Sequence, residues 1–234
     1  MKPGILYLIP STLGDTRPED VLPEKTLTII RSLDSFIVEE IRSARRFLRK
    51  AGFTGDFTTT GFLVFNEHTN RDGLIDFLTP MISGMNTGLL SEAGTPCIAD
   101  PGAEIVEIAR QNNIPVAPLS GPNSILLALM ASGFNGQNFT FHGYLPIDRK
   151  ARHHKIREME KSTVEKQQTQ IFIETPYRNK PIFEALTQTC NPATRLCIAV
   201  DLTMESESIR VRTIGEWRKS NEQLPKKPAV FLLY

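Results

Sequence analysis

The sequence predicts an α/β protein built as two α/β domains, on three observations. Short apolar runs alternate with helix-length stretches along most of the chain, the spacing of βα units and a largely parallel sheet. Three prolines and a glycine crowd into Pro115–Pro122, a hinge-like texture. Beyond it, strand-like runs follow one another without helices between them, a mark of mixed or antiparallel pairing. With 234 residues the chain suits two domains of ordinary size, 1–117 with a mostly parallel sheet and 118–234 with a mixed one.

In the first domain strands are expected at Ile5–Ile9, Ser35–Glu39, Gly61–Phe65, Thr87–Leu90 and Pro115–Pro118, each short and apolar. Helices are expected at Lys25–Leu33, Arg42–Ala51, Arg71–Ser83 and Ala103–Asn112. The second domain opens with a helix apolar almost all round, Pro122–Ala131, and an extended segment, Phe139–Leu145. A long polar helix, Arg149–Glu165, precedes a strand at Gln170–Glu174 and a helix at Asn179–Thr189. Strands Arg195–Val200, Ser208–Thr213 and Ala229–Leu233 complete it.

Composition narrows the function. Hydrophobic residues at 40% and charged residues at 23% supply an ordinary globular core. The longest apolar runs fall short of the about 20 residues that span a bilayer. The apolar start, Ile5–Ile9, is too short for a signal peptide. Cys97, Cys190 and Cys197 form no CxxC pair, which fits a reducing compartment, so a cytoplasmic protein is expected. His153 and His154 are adjacent on a helix while His68 and His142 are isolated, so no zinc spacing exists and no metal is expected. Net charge is +1, and affinity for a polyanion has to come from local patches. Neither a G-x-G pair nor G-K-[ST] occurs, which removes the Rossmann fingerprint and the P-loop.

Four segments remain as carriers of chemistry. Leu89–Gly102 leaves a strand and enters a helix, with Asp100 suited to the N-cap and Pro101 to the first turn. Such loops lie where open α/β sheets bind ligands, and its small residues allow close backbone approach. An ordinary capped βα loop has the same pattern. Ser120–Ser124 opens the apolar helix; it reads as a buried junction or as a segment presenting Ser124 to a ligand. Glu39, Glu40 and Arg42 follow a strand, and Arg42, Arg45, Arg46 and Arg49 then form a stripe at helical spacing. Arg149–Lys161 holds six Arg or Lys against two Glu, a local net of +4. A solvated helix face is the commoner explanation of the first stripe, while the second serves about equally as a solvated face or a polyanion-binding surface.

Taken together these segments resemble one family. Leu90–Gly102 is similar to the S-D-A-G-T-P-x-I-S-D-P-G segment of the bacterial ribosomal RNA small subunit methyltransferase I group, within the tetrapyrrole methylase superfamily. Ser120–Ser124 resembles its P-G-P-S-A segment, Phe141–Pro146 its F-x-G-F-L-P, and Phe172–Arg178 its F-Y-E-S-P-H-R. Glu39–Leu48 resembles E-D-T-R-x-T-R-K-L-L, Glu67-His68 stands at H-E-H-N, and Asp201-Leu202-Thr203 stands at E-L-T-K. The first loop, Pro10–Asp15, is one residue shorter than T-P-I-G-N-L-G-D and lacks its first glycine, and that group continues past the strand at which this chain stops.

The resemblance implies two α/β domains with S-adenosylmethionine in a cleft between them, commonly a homodimer, and ribose 2′-O-methylation of small-subunit ribosomal RNA. It implies cofactor contacts at Pro10, Ser91, Glu92, Ala93, Gly94, Thr95, Pro96, Ser124, Thr175, Pro176, Asp201, Leu202 and Thr203. A ribose hydroxyl is a weak nucleophile, so a base is expected beside it: Glu39 or Glu40 by strand-end placement, with Asp15 behind them. RNA contacts are expected at Arg42, Arg45, Arg46, Arg149, Arg152 and Arg157. Two other readings stay open. A tetrapyrrole or other small-molecule methyltransferase is disfavoured by the missing G-x-G-P-G-D loop, and a degenerate paralogue binding cofactor or RNA without turnover is favoured by the altered first loop.

Overall fold

The computed structural model describes residues 2–220 and 224–234. The chain divides into two compact units, Met1–Asn123 and Ser124–Tyr234.

The first unit carries a five-stranded sheet in the order β3-β2-β4-β1-β5, every neighbour parallel. Its strands are β1 (Leu6–Ile9), β2 (Ser35–Val38), β3 (Gly61–Val64), β4 (Thr87–Leu90) and β5 (Val116–Pro118). Alternate side chains leave opposite faces. Ile9, Phe36, Val38 and Leu90 pack under α2 (Glu24–Arg31) and α3 (Ile41–Lys50), while Leu6, Ile37 and Leu89 meet α4 (Thr79–Ile82) and α5 (Gly102–Gln111). Both faces are covered, which is why these strands read as continuous apolar runs.

Three details depart from expectation. A short helix, α1 (Pro18–Val21), precedes α2, started by a proline in its first turn. The helix expected over Arg71–Ser83 is a 3-10 segment, Arg71–Leu78, broken at Gly73, and only then α4. The supposed hinge, Pro115–Pro122, belongs to the first unit. Leu119 N donates to Leu8 O at 3.0 Å, and Thr26 Oγ1 donates to Ser120 O at 3.0 Å. Gly121 sits so close to the Pro10 ring that a Cβ would overlap it. The units therefore part at 123/124 rather than at 117/118.

The second unit has the order β6-β7-β10-β8-β9. Its strands are β6 (Phe139–Tyr144), β7 (Thr169–Glu174), β8 (Arg195–Val200), β9 (Ser208–Thr213) and β10 (Ala229–Leu233). Only β6 with β7 is parallel, and the other neighbours are antiparallel. One face packs on α7 (Arg149–Lys166), α8 (Asn179–Thr189) and α9 (Ile214–Lys219), through Phe172, Phe231, Ile182, Leu186 and Trp217. The buried Trp217 donates its indole N–H to Leu196 O at 3.0 Å, so the largest core residue leaves no polar atom stranded. The apolar helix α6 (Ser124–Ser132) packs against β9 and β10. Helix α9 starts on a capping box, Thr213 with Glu216, and depresses the Glu216 carboxyl through the Thr213 N–H.

Candidate active site

The strand ends of the first unit gather the expected cofactor segment. Ser11 N donates to Gly94 O at 2.9 Å and Ser91 Oγ donates to the same oxygen at 2.8 Å, so the loop after β4 folds back onto the loop after β1. Asn123 Nδ2 reaches Thr95 Oγ1 at 2.6 Å. Pro10 and Ser91–Pro96, distant in sequence, thus lie together within one unit. Gly94 holds φ +75°, and a Cβ there would crowd Leu13 at 3.0 Å and Pro122 O at 3.3 Å.

The same loop continues through two non-glycine residues in the left-handed region, Cys97 and Ala99. Asp100 holds it: its carboxylate accepts from Cys97 N at 2.9 Å and from Gly102 N at 2.8 Å. Asp100 therefore braces the loop as well as the start of α5, and Pro101 takes the N-cap position one residue ahead of the expected first turn. Burial raises the Asp100 carboxyl and these backbone donors oppose it. Burial also pushes the Cys97 thiol up to about 11, which keeps it protonated and rules it out as a nucleophile near neutral pH.

Glu39 and Glu40 are separated in role. Glu40 caps α3, its carboxylate accepting from Arg42 N at 2.7 Å and Ser43 N at 2.6 Å. Those two donors hold it below the usual carboxylate range. An anion so engaged is a poor proton acceptor, and the expectation of a base at Glu40 gives way to a structural cap. Glu39, at the end of β2, is half-buried; its Oε1 accepts from Glu92 N at 3.3 Å. Burial raises it first, and the nearby Asp100, Glu92 and Glu67 carboxylates add to the rise against the Glu92 N–H. No cation is paired with Glu39 among the described residues.

Beside them lies a cavity of about 430 Å³, bounded by the Ser11–Asp15 loop, Ser43, Arg46 and Lys50 of α3, and Ser91-Glu92. Ser43 Oγ donates to Glu92 Oε1 at 2.7 Å, and Lys50 is ion-paired with Asp15. The Ser11 hydroxyl is buried there without a hydrogen-bond partner. The basic stripe of α3 is divided. Arg45 donates to Phe57 O at 3.2 Å and lies over the Phe57 and Phe62 rings, so its guanidinium already has partners in the unit's own aromatic cluster. All four arginines of the stripe are exposed, and Arg42 and Arg46 have no aromatic ring beneath them among the described residues.

In the second unit the expected residues sit at the ends of β7 and β8. Thr175 is exposed and Pro176 half-buried just past Glu174. Asp201 and Thr203, like Cys97 and Ala99, adopt positive φ, at +54° and +71°. The remaining non-glycine residues of this kind, Asn113 and Gln167, follow helices α5 and α7, where a left-handed residue ends the last turn. Backbone strain without such an explanation therefore falls just past the Ser91–Pro96 segment, at Cys97 and Ala99, and within the Asp201–Thr203 segment. Asp201 is tied to Lys227 and accepts from Ser206 Oγ at 2.7 Å; Thr203 N donates to Glu207 at 2.8 Å. Leu202 is buried and Ser124 opens α6. Of the α7 cations, Arg149 and Arg157 are exposed, whereas Arg152 is partly buried and donates to Ile147 O at 2.9 Å.

A family model for tetrapyrrole (corrin/porphyrin) methylases matches residues 11–217. The chain belongs to the tetrapyrrole methylase family. Relatives of the chain include the ribosomal RNA small subunit methyltransferase I of Vibrio cholerae, 31% identical over 233 residues, 98% of this chain and 77% of that protein. The protein of the same name from Bacillus subtilis is 30% identical across 91% of this chain and 68% of its own. Among solved structures, the uroporphyrin-III C-methyltransferase of Thermus thermophilus complexed with S-adenosyl homocysteine aligns with a TM-score of 0.61 at 15% identity, covering 98% of this chain and 97% of that one. The cobalt precorrin-4 methyltransferase structure aligns with a TM-score of 0.61 at 14% identity, covering 98% and 94%. These structures speak for the fold alone. As a tetrapyrrole methylase the chain is a methyltransferase whose methyl donor is S-adenosylmethionine. Its first unit fits such a ligand: Gly94 admits a close backbone approach, the Cys97–Ala99 backbone is turned out of regular pairing, and the buried Ser11 hydroxyl lacks a partner.

Among the described residues no helix is long and apolar enough to cross a membrane. What the sequence did not reveal is the cavity role of Ser43, Asp15 and Lys50, and the pairing of Asp201 with Lys227. A cation 26 positions along the chain carries no local signal.

Proposed function

We propose that this tetrapyrrole methylase methylates a ribose 2′-hydroxyl of small-subunit ribosomal RNA, with Glu39 accepting the hydroxyl proton. The observation that carries the assignment of the base is the half-buried Glu39 carboxyl, raised and without a cation, beside both the Ser91–Pro96 loop and the cavity. The choice of RNA is supported by the name that the relatives share. Cofactor contacts are assigned to Pro10 and the Ser91–Pro96 backbone in the first unit, and to Ser124, Thr175, Pro176, Asp201, Leu202 and Thr203 in the second.

The donor supplies an electrophilic methyl group on a sulfonium, whose departure as a neutral thioether needs no acid. The protein's work is positioning and proton removal. A raised carboxyl is the stronger base, so Glu39 draws the proton from the hydroxyl as that oxygen attacks. Glu92 steadies it through its backbone N–H, while Glu40 fixes α3 and with it Ser43. Arg42, Arg46, Arg149 and Arg157 offer the exposed positive charge that a polyanion requires. We infer further that the protein works as a homodimer, the commonest symmetric assembly, in the cytoplasm where ribosomal RNA is found. Sedimentation at the 26.2 kDa monomer mass at micromolar concentration contradicts the dimer.

The test is transfer of tritium from labelled S-adenosylmethionine to small-subunit particles or their RNA from a strain lacking this protein. Label in small-subunit RNA is expected. Calorimetrically proven cofactor binding with label only in a tetrapyrrole, or in nothing, overturns the reading.

A further inference from the structure

Helix α3 carries five cations, and beyond Arg42 in its first turn the fold sorts the other four into two pairs. Arg45 and Arg49 turn onto the cluster of Phe53, Phe57 and Phe62; Arg49 lies 3.9 Å from the Phe57 ring centre and donates to Phe53 O at 2.6 Å. Arg46 and Lys50 line the cavity instead. Arg46 has neither hydrogen bond nor ion pair among the described residues, although it stands at the cavity wall. Lys50 is answered there by Asp15, a carboxylate that the protein itself supplies. Ser91-Glu92, the start of the segment assigned to the methyl donor, also lines the cavity, and Glu92 N is the donor to Glu39. One cavity thus joins two cations, a counter-anion from the protein itself and the start of the assigned donor loop, whose Glu92 N bonds the assigned base, itself outside the lining. The cavity's volume is that of a small-ligand site.

We propose that this cavity receives a phosphodiester group of the target RNA at Arg46 and Lys50, and that the phosphate replaces Asp15 as the partner of Lys50. The inference rests on the RNA reading above and names the grip that sets the ribose against Glu39. A guanidinium offers phosphate two parallel N–H donors, and each phosphate neutralised makes binding weaken as salt rises. Arg45 and Arg49, held by the aromatic cluster, take no part. The Asp15 carboxyl, lowered by its hydrogen bond from Lys50, is the anion that substrate displaces.

The experiment measures KM for small-subunit ribosomal RNA at several salt concentrations, with cofactor affinity by calorimetry, for the full chain and for Arg46→Ala, Arg46→Lys and Asp15→Asn. Arg46→Ala is expected to raise the RNA KM about tenfold, the scale of one charge-assisted contact. It should also flatten the dependence of log KM on log salt by about 0.7, with cofactor affinity within about twofold of wild type. Arg46→Lys should restore the salt slope, and Asp15→Asn, by freeing Lys50, should lower the KM. A wild-type KM and slope in Arg46→Ala overturn the inference, as does a rise in KM that is the same at every salt concentration. If Arg46→Ala does not fold, Asp15→Asn decides alone: an unchanged or raised KM overturns the proposal. A wild-type enzyme that methylates no ribosomal RNA removes the parent reading and this inference with it, whereas normal methylation with an indifferent Arg46→Ala removes the inference alone.

Discussion

In the first unit Glu39 closes β2 with no cation beside it, whereas in the second Glu174 and Asp201 close β7 and β8 against Arg178 and Lys227. The side chain of Glu174 is fully buried, with Arg178 Nη2 3.0 Å from its Oε1. Burial raises the Glu174 carboxyl and Arg178 opposes it. Arg178 also donates to Leu145 O at 2.7 Å, so the pair pins the chain that leads into α7 to the end of β7. Asp201 and Lys227 tie the turn after β8 to the segment before β10, which Asn179 Nδ2 anchors through Lys227 O at 2.7 Å. Similar residues at similar places thus do different work. A carboxylate neutralised by a neighbour fixes loops, and one left without a cation keeps the basicity that proton transfer needs.

The largest effect expected from this contrast is on turnover. Glu39→Gln should lower kcat by about 10²–10⁴-fold, the range for a general base, while calorimetry finds cofactor affinity unchanged. Because the folded state raises the Glu39 pKa, the charged form weakens folding near neutral pH, so Glu39→Gln should leave thermal stability equal or higher. A drop in stability together with a small loss of kcat would make Glu39 one more structural acid.

Arg178→Ala tests the other half of the contrast. It leaves a buried carboxylate uncompensated and should cost about 3 kcal/mol in urea unfolding. The damage should appear as lost stability and a raised cofactor KM, with kcat in the surviving folded fraction close to wild type. Stability within experimental error of wild type would show that Glu174 needs no partner. Lys227→Met should cost less, about 1 kcal/mol or below, because the Lys227 side chain is 48% exposed and water screens the pair.

The smallest effect is on pH dependence. Glu39 must be ionised to accept a proton, so activity should fall as pH drops through its raised pKa, at a higher pH than an ordinary carboxylate would give. Glu92→Gln removes one of the like charges that contribute to the rise and keeps the backbone donor. The acid limb of kcat should then move to lower pH. An acid limb that stays in place or moves up contradicts the assignment of Glu39 as the group titrating there.

Much of this was legible because apolar runs and their punctuation report burial directly. The strands from Thr87–Leu90 to Ala229–Leu233 lie where alternation puts them, and the parallel and mixed characters of the two sheets follow from what separates their strands. Helix α9 escaped notice although its Thr213-x-x-Glu216 capping signature is in the sequence, since six residues are too few to show a period. The broken helix at Gly73 reflects a backbone choice that an apolar pattern does not report. For the site, the Ser91–Pro96 loop was readable as a strand-end segment of small residues, but which of two adjacent glutamates caps α3 depends on a turn geometry that composition leaves open. The division of the α3 arginines was out of reach. Helical spacing sets them on one stripe, and only the approach of Phe57 and Phe62, 12 and 17 positions beyond Arg45, lays Arg45 and Arg49 over aromatic rings while both stay exposed.

The central claim, proton removal from a ribose hydroxyl by Glu39, is tested most directly by where the methyl group resides. A 2′-O-methyl group leaves the adjacent phosphodiester without the hydroxyl that alkali needs for cleavage. Small-subunit ribosomal RNA labelled by this protein from tritiated S-adenosylmethionine should therefore release its label, on alkaline hydrolysis, in an alkali-resistant dinucleotide, and Glu39→Gln should release almost none. Label recovered in mononucleotides, or wild-type yield from Glu39→Gln, contradicts the account.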